Sequence, residues 1–442
     1  ELIMNNIIVS KFGGSSLADV NQFKKVKNIV LGDEKRRYVV PSAPGKRYKE
    51  DQKITDLLYL CHANVEQNVE IDYIFNIIEK RYKELAKELE VSIDIDIELK
   101  NIKKNIKNGA TADYTASRGE YLNGVILSDY LGYEFVDPAE IIFFRRNGVF
   151  DGEKTQEAVS KKLKNIEKAV IPGFYGSLPN GDIKTFSRGG SDVTGAIIAR
   201  GVNAQLYENW TDVSGFLMVD PNIVENPRNI ERITYRELRE LAYMGATVLH
   251  EEAVFPVSSA GIPININNTN RPEDKGTLII DDLKPASYAG NITGVAGKKD
   301  FVVIAIEKNM MNVEQGYCRK VLSILEENDV SFEHMPSGVD AVSLVISKSQ
   351  LNGKLDSILQ EIEIKCKPDS VEVYPDMALV AVVGKGMLRT VGMSAKIFDA
   401  LAREKVNIRM IIQGSSEINI IVGVENEDFE KAIRAIYAEF TK

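Results

Sequence analysis

The last third of the chain repeats itself. With Gly316 set against Gly392, two stretches align without a gap at a constant offset of 76 residues (316 to 392). Val302-Val303-Ile304-Ala305-Ile306 falls opposite Ala378-Leu379-Val380-Ala381-Val382, and Lys320-Val321-Leu322 opposite Lys396-Ile397-Phe398. Leu325 faces Leu401, Val330-Ser331-Phe332 faces Val406-Asn407-Ile408, Gly338 faces Gly414, and Leu344-Val345-Ile346 faces Ile420-Ile421-Val422. Each copy reads strand, helix, strand, strand, helix. One copy alone leaves apolar surface uncovered, so a pair of packed βαββαβ modules is expected, over 299–375 and 376–442, with strands exchanged between them. Such a pair can hold subunits together or sense a small ligand. The glycines in the strand-to-helix loops 312–316 and 388–392 allow close backbone approach and favour sensing.

Ahead of the repeat the pattern differs. Short apolar runs at Val39-Val40, Glu134-Phe135-Val136, Ala169-Val170-Ile171, Gln205-Leu206-Tyr207 and Ile264-Asn265-Ile266 alternate with helical periodicity over 53–65, 71–90, 117–130 and 192–199. This alternation predicts an α/β domain, a mostly parallel sheet sandwiched by helices, over 4–282. Asp281-Asp282-Leu283-Lys284-Pro285 opens a linker placed at 283–298. A length of 442 residues agrees with more than one core.

The net charge of −9, with no basic tract to offset it, argues against a nucleic-acid partner. Apolar stretches are too short to cross a bilayer. The three cysteines, Cys61, Cys318 and Cys366, lack CxxC pairing, and His62, His250 and His334 lack metal-ligand spacing. With no secretion-signal pattern at the start, a cytoplasmic protein is expected.

Two glycine loops carry the chemistry. In Ile7-Ile8-Val9-Ser10-Lys11-Phe12-Gly13-Gly14-Ser15-Ser16 an apolar run ends at a lysine, breaks into glycine and serine, and leads into a helical pattern over 17–30. Strand, glycine loop and helix together aim backbone N–H groups and a helix N-terminus at an anion, and the lysine adds a point charge suited to phosphate. The second loop, Phe186-Ser187-Arg188-Gly189-Gly190-Ser191-Asp192, supplies an arginine that can fork onto a carboxylate or phosphate. Asp192 can be an N-cap or a functional carboxylate. Thr211-Asp212 falls just past a strand, at the ligand-binding edge of such sheets. Glu120, in Ser117-Arg118-Gly119-Glu120-Tyr121, reads as lying where a helix starts, so it is either a first-turn acid or a site residue.

Lys11-Phe12-Gly13-Gly14-Ser15-Ser16, Ser187-Arg188-Gly189-Gly190-Ser191-Asp192 and Trp210-Thr211-Asp212-Val213-Ser214-Gly215 resemble successive motifs of the aspartokinases. So do Ser42-Ala43-Pro44-Gly45, Ile54-Thr55-Asp56-Leu57-Leu58, Gly119-Glu120 and Val248-Leu249-His250. The repeat, with Val383-Gly384-Lys385-Gly386-Met387 and Gly392-Met393-Ser394-Ala395-Lys396-Ile397-Phe398, is similar to their tandem ACT domains. The resemblance implies phosphorylation of the L-aspartate side-chain carboxylate by ATP with Mg²⁺, the metal carried mainly by the ATP phosphates.

It also implies roles. Lys11 and the amides of Gly13, Gly14 and Ser15 would hold the β/γ-phosphates, with Asp192 orienting Lys11. Arg188 would clamp a substrate carboxylate and Glu120 receive the ammonium. Ser42, Thr55, Gly189, Gly190 and Ser191 would line the substrate site. Thr211, Asp212, Leu217, Asn222, Thr247 and Val248 would face the nucleotide. Of these, Leu217, Asn222 and Thr247 stand where the family often has tyrosine, arginine and lysine, which weakens the expected grip on ATP. The effector would sit around Met311, Val313, Gly316, Tyr317, Cys318, Ser331, Phe332, Glu333, Ser337 and Asp340. Glu333 and Asp340 suit a cationic ligand, so lysine is expected before threonine. A homodimer or dimer of dimers through the ACT domains is the expected assembly. Two alternatives stay open: a same-fold kinase for glutamate, acetylglutamate or a nucleotide monophosphate, and a silent amino-acid sensor.

Overall fold

The computed structural model describes residues 6–187, 189–246, 256–281 and 291–442. The chain forms two compact units. The first comprises Glu1–Phe216, Asn229–Leu238 and Thr247–Pro285, and the second Leu217–Arg228, Arg239–Ala246 and Ala286–Lys442. No helix among the described residues is long and apolar enough to cross a membrane.

The first unit is built on strands β1 (Ile8–Phe12), β2 (Arg36–Pro41), β3 (Glu134–Phe135), β4 (Ala169–Val170), β7 (Leu206–Thr211), β8 (Arg232–Thr234), β9 (Ile264–Asn268) and β10 (Thr277–Ile280). A separate hairpin joins β5 (Tyr175–Ser177) to β6 (Ile183–Thr185). The sheet order is β3-β4-β2-β1-β7-β9-β10-β8, with every pairing parallel except β9 with β10. All five residues of β1 are buried, as a central strand covered on both faces requires, and this explains its near-continuous apolar run. The chain goes from β1 to β2 on one side, while β7 pairs on the other. Loops therefore part at the carboxyl end of β1, where open α/β sheets bind ligands.

Helices α1 (Val20–Leu31), α2 (Ile54–Glu66), α3 (Asp72–Glu88), α4 (Ile95–Lys107), α5 (Ala112–Leu131), α6 (Gly152–Leu163), α7 (Gly190–Gly201) and α8 (Tyr235–Tyr243) complete the described elements up to the repeat. Phe23, Phe75, Tyr82, Leu99 and Leu122 from α1, α3, α4 and α5 share one core with Phe12 and Trp210 of the sheet. The sequence reading passed over α4 and α6. The first has an ordinary amphipathic stripe, with Ile95, Leu99, Ile102 and Ile106 buried and Asp94 capping it. Helix α5 starts at Ala112, not near Ser117, because Thr111 accepts a hydrogen bond from the Tyr114 N–H and caps it there.

The second unit holds β11 (Gly294–Glu307), β12 (Ala341–Ser347), β13 (Ser370–Val383), β14 (Met410–Ile412) and β15 (Asn419–Glu425), an antiparallel sheet in the order β12-β11-β13-β15-β14. The repeat is kept in three dimensions: helices Tyr317–Glu327 and Met393–Arg403 differ by 76 at both ends, each entered through a left-handed glycine, Gly316 or Gly392. Each copy has its own core, around Ile304, Val321, Leu325 and Leu344 in the first and Val380, Ile397, Leu401 and Val422 in the second. The long β11 joins them. Its first part, Gly294 to Lys298, pairs with Leu379 to Val383, and its second, from Phe301, pairs with β12 and the start of β13. Residues 294–298, inside the span read as a linker, are therefore strand.

The aligned valines Val330 and Val406 have a role that the repeat alone does not show. Both close a helix. Each N–H bonds five residues back, to the Leu325 or Leu401 carbonyl, after a left-handed residue (Asp329, φ 51°; Lys405, φ 56°). This is the Schellman ending, with the valine as its apolar contact.

Candidate active site

Strand β1 delivers Lys11 one residue before its end, and Lys11 is 7% exposed. Its Nζ lies 2.6 Å from Asp192 Oδ1 and 3.3 Å from Asn209 Oδ1, while Asn209 Nδ2 donates to Asp192 Oδ1 at 2.8 Å. Lys11 and Asn209 are register partners on β1 and β7. Asp192 comes from the first turn of α7, whose N-cap is the left-handed Gly189 (φ 59°), so Asp192 is not the cap. A buried cation is tolerated when its charge is met and hydrogen-bonded, and both conditions hold here.

Past Phe12 the chain turns through the short helix Gly14–Leu17. The Gly13 N–H is committed to the Trp210 carbonyl at 2.9 Å, so it is not available to a phosphate. Gly14 and Ser15 are the first residues of that turn, whose opening N–H groups have no carbonyl behind them within the helix. Gly14 also touches the loop that follows β2. The Gly45 N–H donates to the Gly14 carbonyl at 2.8 Å, and a Cβ on Gly45 would lie 2.6 Å from the Gly14 carbonyl carbon. Only glycine permits that approach. Arg81 of α3, 4% exposed, clamps the same place by donating to the carbonyls of Ala18, Gly45 and Gln52 and pairing with Asp51 at 3.3 Å.

The loop after β2 also carries Ser42, one of the residues expected on the substrate side. Asn123 of α5 donates to the Ser42 carbonyl at 2.8 Å, and the Tyr82 hydroxyl to the Gly119 carbonyl at 2.8 Å. Gly119 lies against Ala43, where a Cβ would come within 2.9 Å of the Ala43 methyl. One residue on is Glu120, 6% exposed, in the middle of α5 and not at a helix start. The first-turn reading therefore fails. Its Oε2 is buried without a hydrogen-bond partner. Burial pushes the carboxyl up to about 8, with the Ala43 N–H pulling the other way. Thr55 sits half-buried in the first turn of α2. Ser191 is buried against Gly173, the residue reached after β4.

Other expected positions are spread more widely. Thr211 ends β7 and donates to the exposed Asp212 at 3.2 Å. Leu217 and Asn222 belong to the second unit, where the Asn222 backbone and side-chain N–H groups both bond Asp220. Arg188, Thr247 and Val248 lie outside the described residues. Asn209, Arg81 and Asn123 were missed. Asn209 stands beside a second polar residue, Glu208, in its strand, so nothing local singled it out, and nothing local distinguished Arg81 from a surface helix cation.

In the second unit, Met311 and Tyr317 are buried, the Tyr317 hydroxyl without a partner. Gly316 and the half-buried Cys318 flank Tyr317 at the helix start, while Val313, Ser331, Phe332, Ser337 and Asp340 are exposed. Glu333 accepts a hydrogen bond from Tyr243 of α8. Burial, and then Glu333, pushes the Tyr243 hydroxyl up to about 12. Among the described residues no group of three or more His, Cys, Asp or Glu is placed to hold a metal ion.

Residues 6–268 match the Amino acid kinase family and 380–440 the ACT domain. The chain is 38% identical to aspartokinase 3 of Bacillus subtilis, over 98% of both chains. It superposes on the crystal structure of Clostridium acetobutylicum aspartate kinase with a TM-score of 0.95 and 63% identity, covering 98% of this chain and 100% of that one. Escherichia coli aspartokinase III is 26% identical over 99% of this chain and 100% of its own. Its TM-scores are 0.74 for the complex with lysine and aspartate (T-state) and 0.72 for that with aspartate and ADP (R-state). With the kinase match spanning more than half the chain and the Bacillus relative aligned end to end, the chain belongs to the aspartokinases of the amino acid kinase family.

Proposed function

We propose that the protein transfers the γ-phosphoryl group of ATP to the side-chain carboxylate of L-aspartate, giving 4-phospho-L-aspartate, under feedback from an end-product amino acid. The observation that carries the substrate side is Glu120: a buried carboxylate oxygen without a partner suits a donor brought by the ligand, and an α-ammonium is such a donor. Lys11 and the amides of Gly14 and Ser15 meet the β/γ-phosphates. Phosphoryl transfer depends on in-line positioning and charge neutralisation. The acceptor is already ionised, so the site needs no strong base. Arg188 holds a substrate carboxylate, Thr55 and Ser191 orient it beside Ser42, Gly189 and Gly190, and Asp192 keeps Lys11 in place. Thr211 and Asp212 serve the nucleotide side, with Leu217, Asn222, Thr247 and Val248 assigned there by resemblance. The ATP phosphates would carry Mg²⁺, which would offset their charge.

For the effector, lysine is the first choice and threonine the second. The lysine complex of the E. coli relative and the acids Glu333 and Asp340 both favour a cation. Their counterparts in the second copy are Arg409 and Ser416. Assembly is assigned to a homodimer or dimer of dimers through the ACT domains, and the compartment to the cytoplasm. A coupled ADP-release assay tests the reaction. Aspartate should support turnover and glutamate should not, and Lys11→Ala should lower kcat by about 10²–10³-fold while leaving the circular-dichroism spectrum folded. Absence of aspartate-dependent turnover in the wild type would overturn the proposal.

A further inference from the structure

The two faces of β7 carry two polar networks of different character. On one face Glu208, 4% exposed, is saturated: it accepts from Ser10 Oγ at 2.8 Å, Arg36 Nε at 2.8 Å, Arg36 Nη2 at 3.0 Å and Trp210 Nε1 at 2.9 Å. Nothing is left over for a ligand, and the cluster ties β1, β2 and β7 together. On the other face the Lys11, Asp192 and Asn209 group is smaller and leaves capacity unused.

We propose that Asn209 is a positioning residue for phosphoryl transfer: its carboxamide holds Lys11 and Asp192 in one arrangement that leaves Lys11 a free N–H for phosphate. The inference rests on the reading that Lys11 meets the phosphates. The amide orientation follows from its neighbours, since only Oδ1 can accept from the ammonium at 3.3 Å and only Nδ2 can donate to the carboxylate at 2.8 Å. Three groups thus close a ring in which each touches the other two. An ammonium has three N–H donors. Two are used in the ring, and Nζ lies 3.5 Å from where a Cβ on Gly13 would stand, which puts it against the phosphate loop. A lone Lys–Asp pair could swing about either side chain. The carboxamide removes that freedom because it comes from a backbone locked in register with Lys11, at 4% exposure.

Among the described residues, the polar and titratable groups around Asn209 are Lys11 on β1, Asp192 on α7 and the neighbouring Tyr207, whose hydroxyl donates to the Asp192 carbonyl at 3.0 Å; the register partner of Asn209 on β9 is the apolar Ile266. Two substitutions test the proposal. Asn209→Leu keeps the branched heavy-atom skeleton and removes both hydrogen bonds. It should lower kcat roughly 10–100-fold while the KM values for aspartate and ATP stay within about twofold. Asn209→Asp sets a second carboxyl beside Asp192. While the pair shares a proton, the new acid reproduces the amide by donating to Asp192 and accepting from Lys11. As pH rises and that proton leaves, the two carboxylates repel. The variant should therefore approach wild-type kcat at low pH and lose it between about pH 6 and 9, a fall the wild type lacks. An Asn209→Asp profile parallel to wild type overturns the inference alone. So does an Asn209→Leu enzyme with wild-type kcat, whatever its thermal unfolding midpoint. A wild-type chain that does not turn over aspartate overturns the functional reading and this inference with it.

Discussion

Lys11 and Glu120 are buried ionisable groups handled in opposite ways. The ammonium is compensated inside the fold by Asp192 and Asn209, so under the proposed function it meets phosphate without repacking. The carboxyl is left with an unpartnered oxygen and is held near 8 by burial, so at neutral pH it keeps its proton until a cation arrives. Aspartate binding should then release a proton. The apparent affinity should improve as pH rises towards 8, with KM for aspartate falling roughly tenfold per unit below that value. Glu120→Gln should raise KM and flatten this dependence, and isothermal titration in buffers of different ionisation enthalpy should show the proton release lost. Stability has the matching sign. A carboxyl whose folded value lies above its unfolded one costs stability as pH rises between the two, so Glu120→Gln should raise the unfolding temperature of the ligand-free protein at pH 8 and progressively less towards pH 5. The lysine was legible in the sequence because a cation beside two glycines is a local pattern. The state of Glu120 was not, since burial depends on α2, α3 and the β2 loop.

Among the elements, the loops after β1 and β2 act as one piece. Gly14 and Gly45 bring their backbones together, and Arg81 reaches from α3 to hold both. Asp51, which pairs with Arg81, is kept well below the usual carboxylate range mainly by Arg47. Arg81→Met should cost about 2–4 kcal/mol in urea unfolding, because it frees three carbonyls and one face of a buried carboxylate. It should also raise KM for ATP more than KM for aspartate, since the carbonyls it releases flank the phosphate loop. Equal effects on both would place Arg81 in general stability only. The central strands and helices α2 and α3 could be read from periodicity because burial on their faces follows the period. The ends of elements could not: Thr111, Val330 and Val406 decide where helices begin or stop through single backbone bonds that a hydrophobic pattern does not record.

At the scale of the whole molecule, the repeated copies have diverged where an effector would be read. Both keep the helix entered through glycine, but the first presents Glu333 and Asp340, with Glu333 already engaged by Tyr243. Lysine should inhibit turnover more strongly than threonine, and Glu333→Gln should raise the half-inhibitory concentration of lysine about tenfold, a loss of one charge-assisted contact. Stronger inhibition by threonine, or an unmoved lysine response in Glu333→Gln, would overturn the assignment.

The order of the parts was legible in the sequence itself, whereas Leu217–Arg228 and Arg239–Ala246, read as part of 4–282, join the second unit. A 76-residue offset and a switch from alternating strands and helices to a repeat survive any rearrangement of the parts, because they are properties of order along the chain. The lysine loop belonged to the same class of information. Which residues meet was decided only by tertiary structure. Asn209 completes the Lys11–Asp192 pair because β7 lies parallel to β1 in one register, and a shift of one residue would have turned it to the opposite face. Glu120 is left with an unpartnered oxygen because α2, α3 and the β2 loop bury it, and 294–298 became strand because β13 offered it a partner. Register and burial are set by distant segments, so the local sequence cannot carry them.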